Sequence, residues 1–185
     1  MIGAGTVTGL AGCSGGNDSS QEQTQHPDSS SENGGASKSA SSEAKTELHV
    51  DQKLPNFSLQ TTAGNTVSLH PVEKPTALFF MAAWCTSCKQ EEHNLKQVHE
   101  KFGEDVRLIS IDMDPDRDSM QDLQTFKQKY GGDWIHAMGT KELIQKYRLT
   151  SLDTTYIINQ DGVTVYTDSD VTSVTQFKRE LKKLL

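Results

Sequence analysis

Two cysteines separated by two residues, Cys85 and Cys88, follow closely on a short apolar run in this chain. The run, residues 75–81 with the sequence PTALFFM, has the pattern of a strand that is buried on both faces. Residues 87–101 have apolar side chains at helical spacing and are followed by Gly103, which predicts a helix that ends at a glycine. Cysteines at this spacing can form a reversible disulfide, supply half of a zinc site, or have no special role.

The rest of the folded region alternates strands and helices. Residues 106–112 form a second buried apolar run, and a strand, a helix and a strand at this spacing predict a parallel crossover unit. Further along we expect a helix over 117–130, a short strand over 134–136, a helix over 141–147, two hairpin strands over 154–159 and 163–167, and a final helix over 174–185. This order predicts an α/β domain with a mixed sheet.

Composition divides the chain into a linker and a folded part. Residues 14–48 contain no aromatic residue and are dominated by Ser, Gly, Asn, Asp, Gln and Glu, so they bury too little apolar surface to fold. We therefore expect a disordered linker over 14–48 and one domain over 49–185. The formal net charge of -7 argues against nucleic acid as a partner.

The first residues resemble the signal of a bacterial lipoprotein. Residues 1–12, MIGAGTVTGLAG, are uncharged and mildly apolar, and they end in an aliphatic and two small residues before Cys13. In the lipobox that this order resembles, the leader is removed before the cysteine, whose sulfur receives a lipid. Because residues 1–13 are short and lack a positively charged start, we interpret them as a truncated lipoprotein signal. A linker with an r.m.s. reach of roughly 30 Å would then tether the domain to the outer face of a membrane.

The order of elements, with Cys85 and Cys88 at the start of the first crossover helix, resembles the thioredoxin fold. The closer resemblance is to the extracytoplasmic thiol-disulfide oxidoreductases typified by TlpA and ResA, and it covers nearly all of residues 49–185. It rests on LPNFSL at 54–59 and AGNTVSL at 63–69, on AAWCTSC at 82–88 and on NQDG at 159–162. The resemblance implies a thioredoxin-like fold in which helices flank a central mixed β-sheet, with an N-terminal hairpin extension.

The chemistry expected of such a site depends on a thiolate. A free cysteine is mostly protonated at neutral pH, but at a helix N-terminus the unpaired N–H groups and the helix dipole stabilise a negative sulfur. We therefore expect Cys85 to be the nucleophile, and Cys88, one turn further on, to resolve the mixed disulfide. The resemblance implies that Glu91, three residues after Cys88, accepts the proton of Cys88.

Two positions depart from the family's pattern. Asp153 stands where the family has a cis-proline. The resemblance implies that the loop with Leu152 and Asp153 binds the substrate together with Trp84. We expect the Trp84 side chain to form a wall of the active site and also to belong to the core. A cis bond before a residue other than proline costs about 2.5–4 kcal/mol, so this loop is either strained or differently shaped. A carboxylate beside the cysteines would also raise the pKa of Cys85. His93 occupies the position where the family has a proline that kinks the helix, so we expect a straighter helix here. A more specific alternative is that His93 shuttles protons or binds a metal.

Three other protein classes share parts of this pattern. A zinc finger needs a second pair of ligands at a suitable spacing, which the sequence does not offer. Peroxiredoxins need a threonine where this chain has Ala82, so we expect no peroxidase activity. Sco-type copper chaperones also lack the cis-proline, and a cysteine pair with a histidine suits copper. Their cysteines have three residues between them and a histidine follows the loop aspartate, whereas Thr154 follows Asp153 here. Copper delivery stays the alternative.

The sequence thus predicts a membrane-tethered, extracytoplasmic thiol-disulfide oxidoreductase that uses no cofactor and no metal. The resemblance implies the reducing direction, with electrons received from a membrane thiol transporter of the CcdA or DsbD type. It further implies protein disulfide substrates, such as apocytochrome c during cytochrome c maturation or extracellular methionine sulfoxide reductases. Direction and partners rest on analogy with the family.

Overall fold

The computed structural model describes residues 50–185, together with Gly3 and Gly5. The predicted lipidation site Cys13, the linker over 14–48 and residue 49 lie outside the described residues. The described part contains, in chain order, β1 (Ser58–Gln60), β2 (Thr66–Ser68), β3 (Thr76–Met81), α1 (Thr86–Phe102), β4 (Arg107–Asp112), α2 (Met120–Tyr130), β5 (Ile135–Met138), α3 (Lys141–Tyr147), β6 (Thr154–Ile158), β7 (Thr164–Asp168) and α4 (Val174–Leu181).

The strand β3 lies at the centre of a five-stranded sheet with the order β5-β4-β3-β6-β7. Neighbouring strands run parallel from β3 through β4 to β5, whereas β6 is antiparallel to both β3 and β7. The strands β1 and β2 form a separate antiparallel hairpin, which a single bridge between Thr61 and Ala137 connects to β5. The predicted thioredoxin-like fold, with its mixed sheet and N-terminal hairpin, is confirmed.

All six residues of β3 are buried, as the apolar run predicts. Because successive side chains of a strand point to opposite faces, Phe79 and Met81 pack with residues of α1, α2 and α4, and Leu78 and Phe80 pack with residues of α3 and the hairpin. The sheet is therefore covered on both faces. The C-terminal ends of the parallel strands β3 and β4 meet at one edge, where the chain enters α1.

Most element boundaries agree with the sequence, and the differences have local causes. The helix expected from residue 117 begins at Met120, because Ser119 and Asp122 form a capping box that fixes its first turn. The last helix ends at Leu181, and residues 182–184 form a turn. The helix α1 continues past the exposed His93 without a break. Within residues 50–185, no helix has both the length and the apolar character that a membrane span requires.

Candidate active site

Cys85 is the N-cap of α1. Its backbone is extended, with φ -72° and ψ 128°, and its sulfur accepts a hydrogen bond from the N–H of Cys88 at 3.2 Å. The two cysteines form a disulfide with their Cα atoms 5.3 Å apart. Cys85 is 4% exposed and Cys88 is completely buried, so an approaching protein reaches the sulfur of Cys85 first. This placement gives Cys85 the electrostatic environment that favours a thiolate.

Glu91 lies one helical turn beyond Cys88 and is fully buried. Its Oε1 accepts a hydrogen bond from Thr155 Oγ1 at 3.0 Å, whereas Oε2 has no partner of normal geometry among the described residues. Burial raises the pKa of Glu91 from its ordinary value of 4.5 to about 8, against weaker opposing effects of Thr155 and Thr172. A carboxyl group with this pKa exchanges protons in the range where thiols titrate.

Asp153 lies beside the cysteines in the loop before β6. Its Oδ2 is 3.9 Å from Cys85 Sγ and accepts a hydrogen bond from the Ser87 hydroxyl, while its Oδ1 has no partner within the described residues. Burial raises the pKa of Asp153, with the hydrogen bond from Ser87 opposing the rise and the charge of Asp170 adding to it. The sequence-based expectation of a carboxylate near Cys85 therefore agrees with the geometry.

The loop at Asp153 differs in shape from a cis-proline loop. Among the described residues the cis peptide bond is His70–Pro71, so the bond that precedes Asp153 is trans. Asp153 has φ 61°, a left-handed conformation that aspartate tolerates better than most residues. Leu152, before it, is half-buried and packs against the apolar cluster that contains both cysteines.

Trp84 lies at the surface next to Cys85, and the expectation that it forms part of the core is wrong. Its side chain is 42% exposed. The indole Nε1 donates a hydrogen bond to Asp114 Oδ2 at 3.0 Å, and the Arg117 guanidinium lies 4.3 Å from the ring centroid. These polar partners lie in the loop after β4, so they hold the ring outside the apolar cluster.

A pair of acids that the sequence did not lead us to expect lies beneath the active-site turn. The N–H of Ala83 donates to Asp118 Oδ2 at 2.7 Å and to Asp112 Oδ2 at 3.2 Å. Burial raises the pKa of Asp112 to about 7, and the neighbouring charge of Asp118 adds to the rise. A signal was present, because Asp112 ends a strand parallel to β3 and such ends meet at one edge of the sheet. These acids fix the turn that leads into Cys85.

Within residues 50–185, no histidine joins the cysteine pair in a metal-compatible group. His93 is exposed on α1, His70 contacts the Leu54 carbonyl through Nε2 at 2.9 Å, and His136 is buried in β5. Among the described residues, the metal-compatible group of His, Cys, Asp or Glu side chains consists of Cys85, Cys88 and Asp153. The structure thus gives no support to a metal-binding role of His93.

A sequence model of the AhpC/TSA family matches residues 50–167, which include the cysteine pair and every strand except the end of β7. This chain belongs to the AhpC/TSA family.

Two Bacillus subtilis proteins are similar to this AhpC/TSA family member. The thioredoxin-like protein YneN is 25% identical over 139 residues, which cover 75% of this chain and 79% of YneN. The thiol-disulfide oxidoreductase ResA is 25% identical over 124 residues, which cover 65% of this chain and 68% of ResA. The resemblance to the TlpA/ResA type is therefore confirmed, and so is the predicted enzyme class, a thioredoxin-like thiol-disulfide oxidoreductase.

Solved structures agree with the fold. A thioredoxin-like protein from Aeropyrum pernix superposes with a TM-score of 0.60 at 27% identity, over 69% of this chain and 89% of that protein. A SCO1/SenC family lipoprotein from Bacillus anthracis superposes with a TM-score of 0.62 at 23% identity, over 72% of this chain and 95% of that protein. At the latter identity the likeness shows the fold alone.

Proposed function

We propose that this protein reduces disulfide bonds of other proteins through Cys85 and Cys88, at the outer face of a membrane to which Cys13 anchors it. The observation that supports this proposal most is the Cys85–Cys88 disulfide at the N-terminus of α1, with the buried Glu91 one turn further along. A pair in this position is able to cycle between dithiol and disulfide.

The reaction begins with the reduced enzyme. The Cys85 thiolate attacks one sulfur of the substrate disulfide, forms a mixed disulfide and expels the other substrate sulfur as a thiolate. Cys88 then attacks Cys85 Sγ, which releases the second substrate sulfur and leaves the Cys85–Cys88 disulfide. Two electrons pass to the substrate, whose two thiolates take up the two protons that the enzyme thiols lose.

Glu91 assists the second step as a proton acceptor in its ionised form. Because its pKa is about 8, the ionised fraction is small at neutral pH and grows as the pH rises toward 8, so this step becomes faster over that range. Cys88 is completely buried, so its proton has no direct route to solvent. A carboxyl group with a pKa of about 8 matches an ordinary thiol pKa of about 8.5, so the transfer costs little free energy. The hydrogen bond from Thr155 orients the Glu91 carboxyl group and leaves Oε2 available for the proton.

Substrate docks on the surface formed by Trp84, Leu152 and Asp153. Trp84 presents an exposed ring whose orientation is fixed by Asp114 and Arg117. A cavity of about 300 Å³ lies beside this ring, lined in part by Lys89, Phe126 and Tyr130. An exposed aromatic side chain with an adjacent cavity, directly next to the nucleophile, suits a polypeptide segment that flanks a disulfide.

The enzyme is returned to the dithiol state by a membrane thiol donor of the CcdA or DsbD type, and its substrates are apocytochrome c or methionine sulfoxide reductases. These partners follow from the resemblance to the TlpA/ResA branch. Copper delivery, the alternative drawn from Sco proteins, receives no support from the donor set, because the metal-compatible group among the described residues contains no histidine.

The reduction potential of the Cys85–Cys88 pair tests the direction. The full-length protein is equilibrated in defined thiol buffers, and its free thiols are counted by alkylation, with Cys13→Ser removing the unrelated thiol. A potential near or below about -270 mV, that of thioredoxin, supports a reductant. A potential near about -120 mV, that of DsbA, would make the protein an oxidant and contradict the proposal.

Trapping experiments test the roles of the cysteines. Cys88→Ser should accumulate a mixed disulfide between Cys85 and the substrate, and Cys85→Ser should have no disulfide reductase activity. Full activity of Cys85→Ser would rule out the mechanism.

Recovery of a Cys13→Ala variant in the soluble rather than the membrane fraction would support the lipid anchor, and an unchanged membrane association would contradict it.

A further inference from the structure

Three donor atoms meet at the active site: Cys85 Sγ, Cys88 Sγ and a carboxylate oxygen of Asp153. All three lie within 4.8 Å of one another, and all three residues are buried. Asp153 is brought there by its left-handed backbone conformation in the loop before β6. Once the disulfide is reduced, two thiolates and one carboxylate oxygen supply three of the four ligands that a tetrahedral site needs.

One oxygen of Asp153 has no partner. The residue is only 8% exposed, Oδ2 accepts the hydrogen bond from Ser87, and Oδ1 is buried without any hydrogen bond within the described residues. A buried carboxylate with an unpartnered oxygen is unfavourable, and a cation bound to the carboxylate through either oxygen offsets the penalty. The Ser87 hydroxyl orients the carboxylate as outer hydrogen-bond donors orient metal ligands elsewhere.

The distances suit a small cation once the disulfide is open. Typical bonds of about 2.3 Å from Zn²⁺ to sulfur and about 2.1 Å to oxygen, at a tetrahedral angle, place a sulfur and an oxygen ligand about 3.6 Å apart. Cys85 Sγ lies 3.9 Å from Asp153 Oδ2. Reduction breaks the bond between the two sulfurs, which lets them move apart and frees both of them to bind.

We propose that the reduced protein binds one borderline-soft divalent cation of the Zn²⁺ type through Cys85, Cys88 and Asp153, with the fourth position open. Two thiolates favour such an ion over Mg²⁺ or Ca²⁺, and a hard carboxylate as third ligand favours it over Cu⁺. The disulfide is first opened by two electrons from a thiol or phosphine reductant. Binding then releases the two thiol protons and transfers no electrons. The oxidised protein has no thiolate and does not bind the ion.

A bound cation would also affect the proposed disulfide reduction. The ion occupies the Cys85 thiolate that attacks the substrate, so metal binding and disulfide reduction exclude each other. Zn²⁺ therefore inhibits the reductase and protects the dithiol from oxidation, and a chelator reverses both effects.

The test titrates Zn²⁺ into the full-length protein carrying Cys13→Ser, reduced with a phosphine, against a chromophoric chelator. Co²⁺ replaces Zn²⁺ in a parallel titration, because its thiolate charge-transfer absorption counts the sulfur ligands. We expect one equivalent to bind to the reduced protein with two thiolate ligands. We expect at least tenfold weaker binding to Asp153→Asn, which retains a side chain suited to the left-handed backbone. The matched control Asp105→Asn, at an exposed position, should bind as the parent does.

Several outcomes would overturn the inference: no binding to the reduced protein, equal binding to the oxidised protein, unchanged affinity of Asp153→Asn, or binding of Cu⁺ without binding of Zn²⁺. Asp153→Gly, which also tolerates a positive φ, is the second variant if Asp153→Asn does not fold. The redox assay in the presence of a chelator separates the two proposals. Active reductase without Zn²⁺ binding defeats only the metal site, and Zn²⁺ binding without a reversible disulfide defeats only the proposed function.

Discussion

Glu92 Oε2 lies 3.2 Å from His136 Nε2, and both side chains are completely buried. This contact joins α1 to β5, and the Trp134 ring stacks on His136 with centroids 5.4 Å apart. The preceding residue on the same helix, Glu91, contacts Thr155 of β6 instead. Two adjacent glutamates therefore have separate roles: Glu91 belongs to the redox site, and Glu92 connects the helix to the edge of the sheet.

Removing Glu92 should destabilise the protein without impairing its chemistry. Glu92→Ala removes the partner of the buried His136 Nε2, and leaving a buried polar atom without a hydrogen bond costs about 1–3 kcal/mol of unfolding free energy. Urea denaturation of the oxidised protein measures the loss. Glu100→Ala, at an exposed position of the same helix, should change stability by less than about 0.5 kcal/mol. A loss below about 1 kcal/mol for Glu92→Ala would show that the pair contributes little.

Glu91 should make stability depend on pH. The folded protein holds the Glu91 proton up to about pH 8, while the unfolded chain releases it near 4.5, so the folded state binds more protons between these values. The contribution of Glu91 to stability is thus fully present below about pH 4.5 and is lost as the pH rises through 8. Glu91→Gln keeps a neutral side chain and avoids this loss, so its stability relative to the parent should rise by about 3–5 kcal/mol between pH 5 and pH 8.5.

The measurement is urea denaturation at both pH values, on the oxidised proteins so that the thiols do not titrate. The raised pKa of Asp112 affects parent and variant alike and cancels in the difference. Glu100→Gln serves as the control and should show the same small difference at both pH values. A pH-independent difference for Glu91→Gln would mean that Glu91 titrates normally.

Asp153 should hold the thiol pKa of Cys85 above the value that its position on α1 alone would give. A carboxylate oxygen 3.9 Å from the sulfur opposes a second negative charge. Asp153→Asn should therefore lower the Cys85 pKa by about one unit. The pH dependence of iodoacetamide alkylation, followed at Cys85 by mass spectrometry with a chelator present, measures it. Asp105→Asn is the control, and a Cys85 pKa that is unchanged or higher in Asp153→Asn would refute the expectation.

Trp84 should matter for protein substrates more than for small ones. Because the ring is exposed, Trp84→Ala should change stability by less than about 1 kcal/mol, yet lower kcat/KM for a disulfide-bonded protein such as insulin about tenfold. The rate with a small disulfide such as 2-hydroxyethyl disulfide should remain within about twofold, since no extended surface is bound. Val171→Ala, another exposed position, is the control. An equal loss with both substrates would place the effect in the chemistry instead.

Local patterns predicted most of the fold. The apolar run before the cysteines became β3, the periodic stretch after them became α1, and the helix expected over 141–147 was found with the same bounds. Boundaries shifted where a cap decides them, as at Ser119, because side-chain capping competes with apolar periodicity at the end of a helix. The sequence predicted that Trp84 lies partly in the core, because its partners Asp114 and Arg117 are distant in sequence and a local pattern does not show them.

The sequence by itself determined the order strand, Cys-x-x-Cys, helix, and with it the position of Cys85 at a helix N-terminus, because each of these depends on neighbouring residues. The resemblance already placed Glu91 and Asp153 at the site, but only the tertiary structure decided their surroundings and added Asp112 and Asp118 beneath the active-site turn. Glu91 and Glu92 are adjacent on one helix, and their opposite surroundings come from β6 and β5. Asp153 approaches Cys85 across 68 residues of chain. Burial and long-range contacts set the proton affinity of Glu91 and Asp153, and neither is encoded in the local pattern.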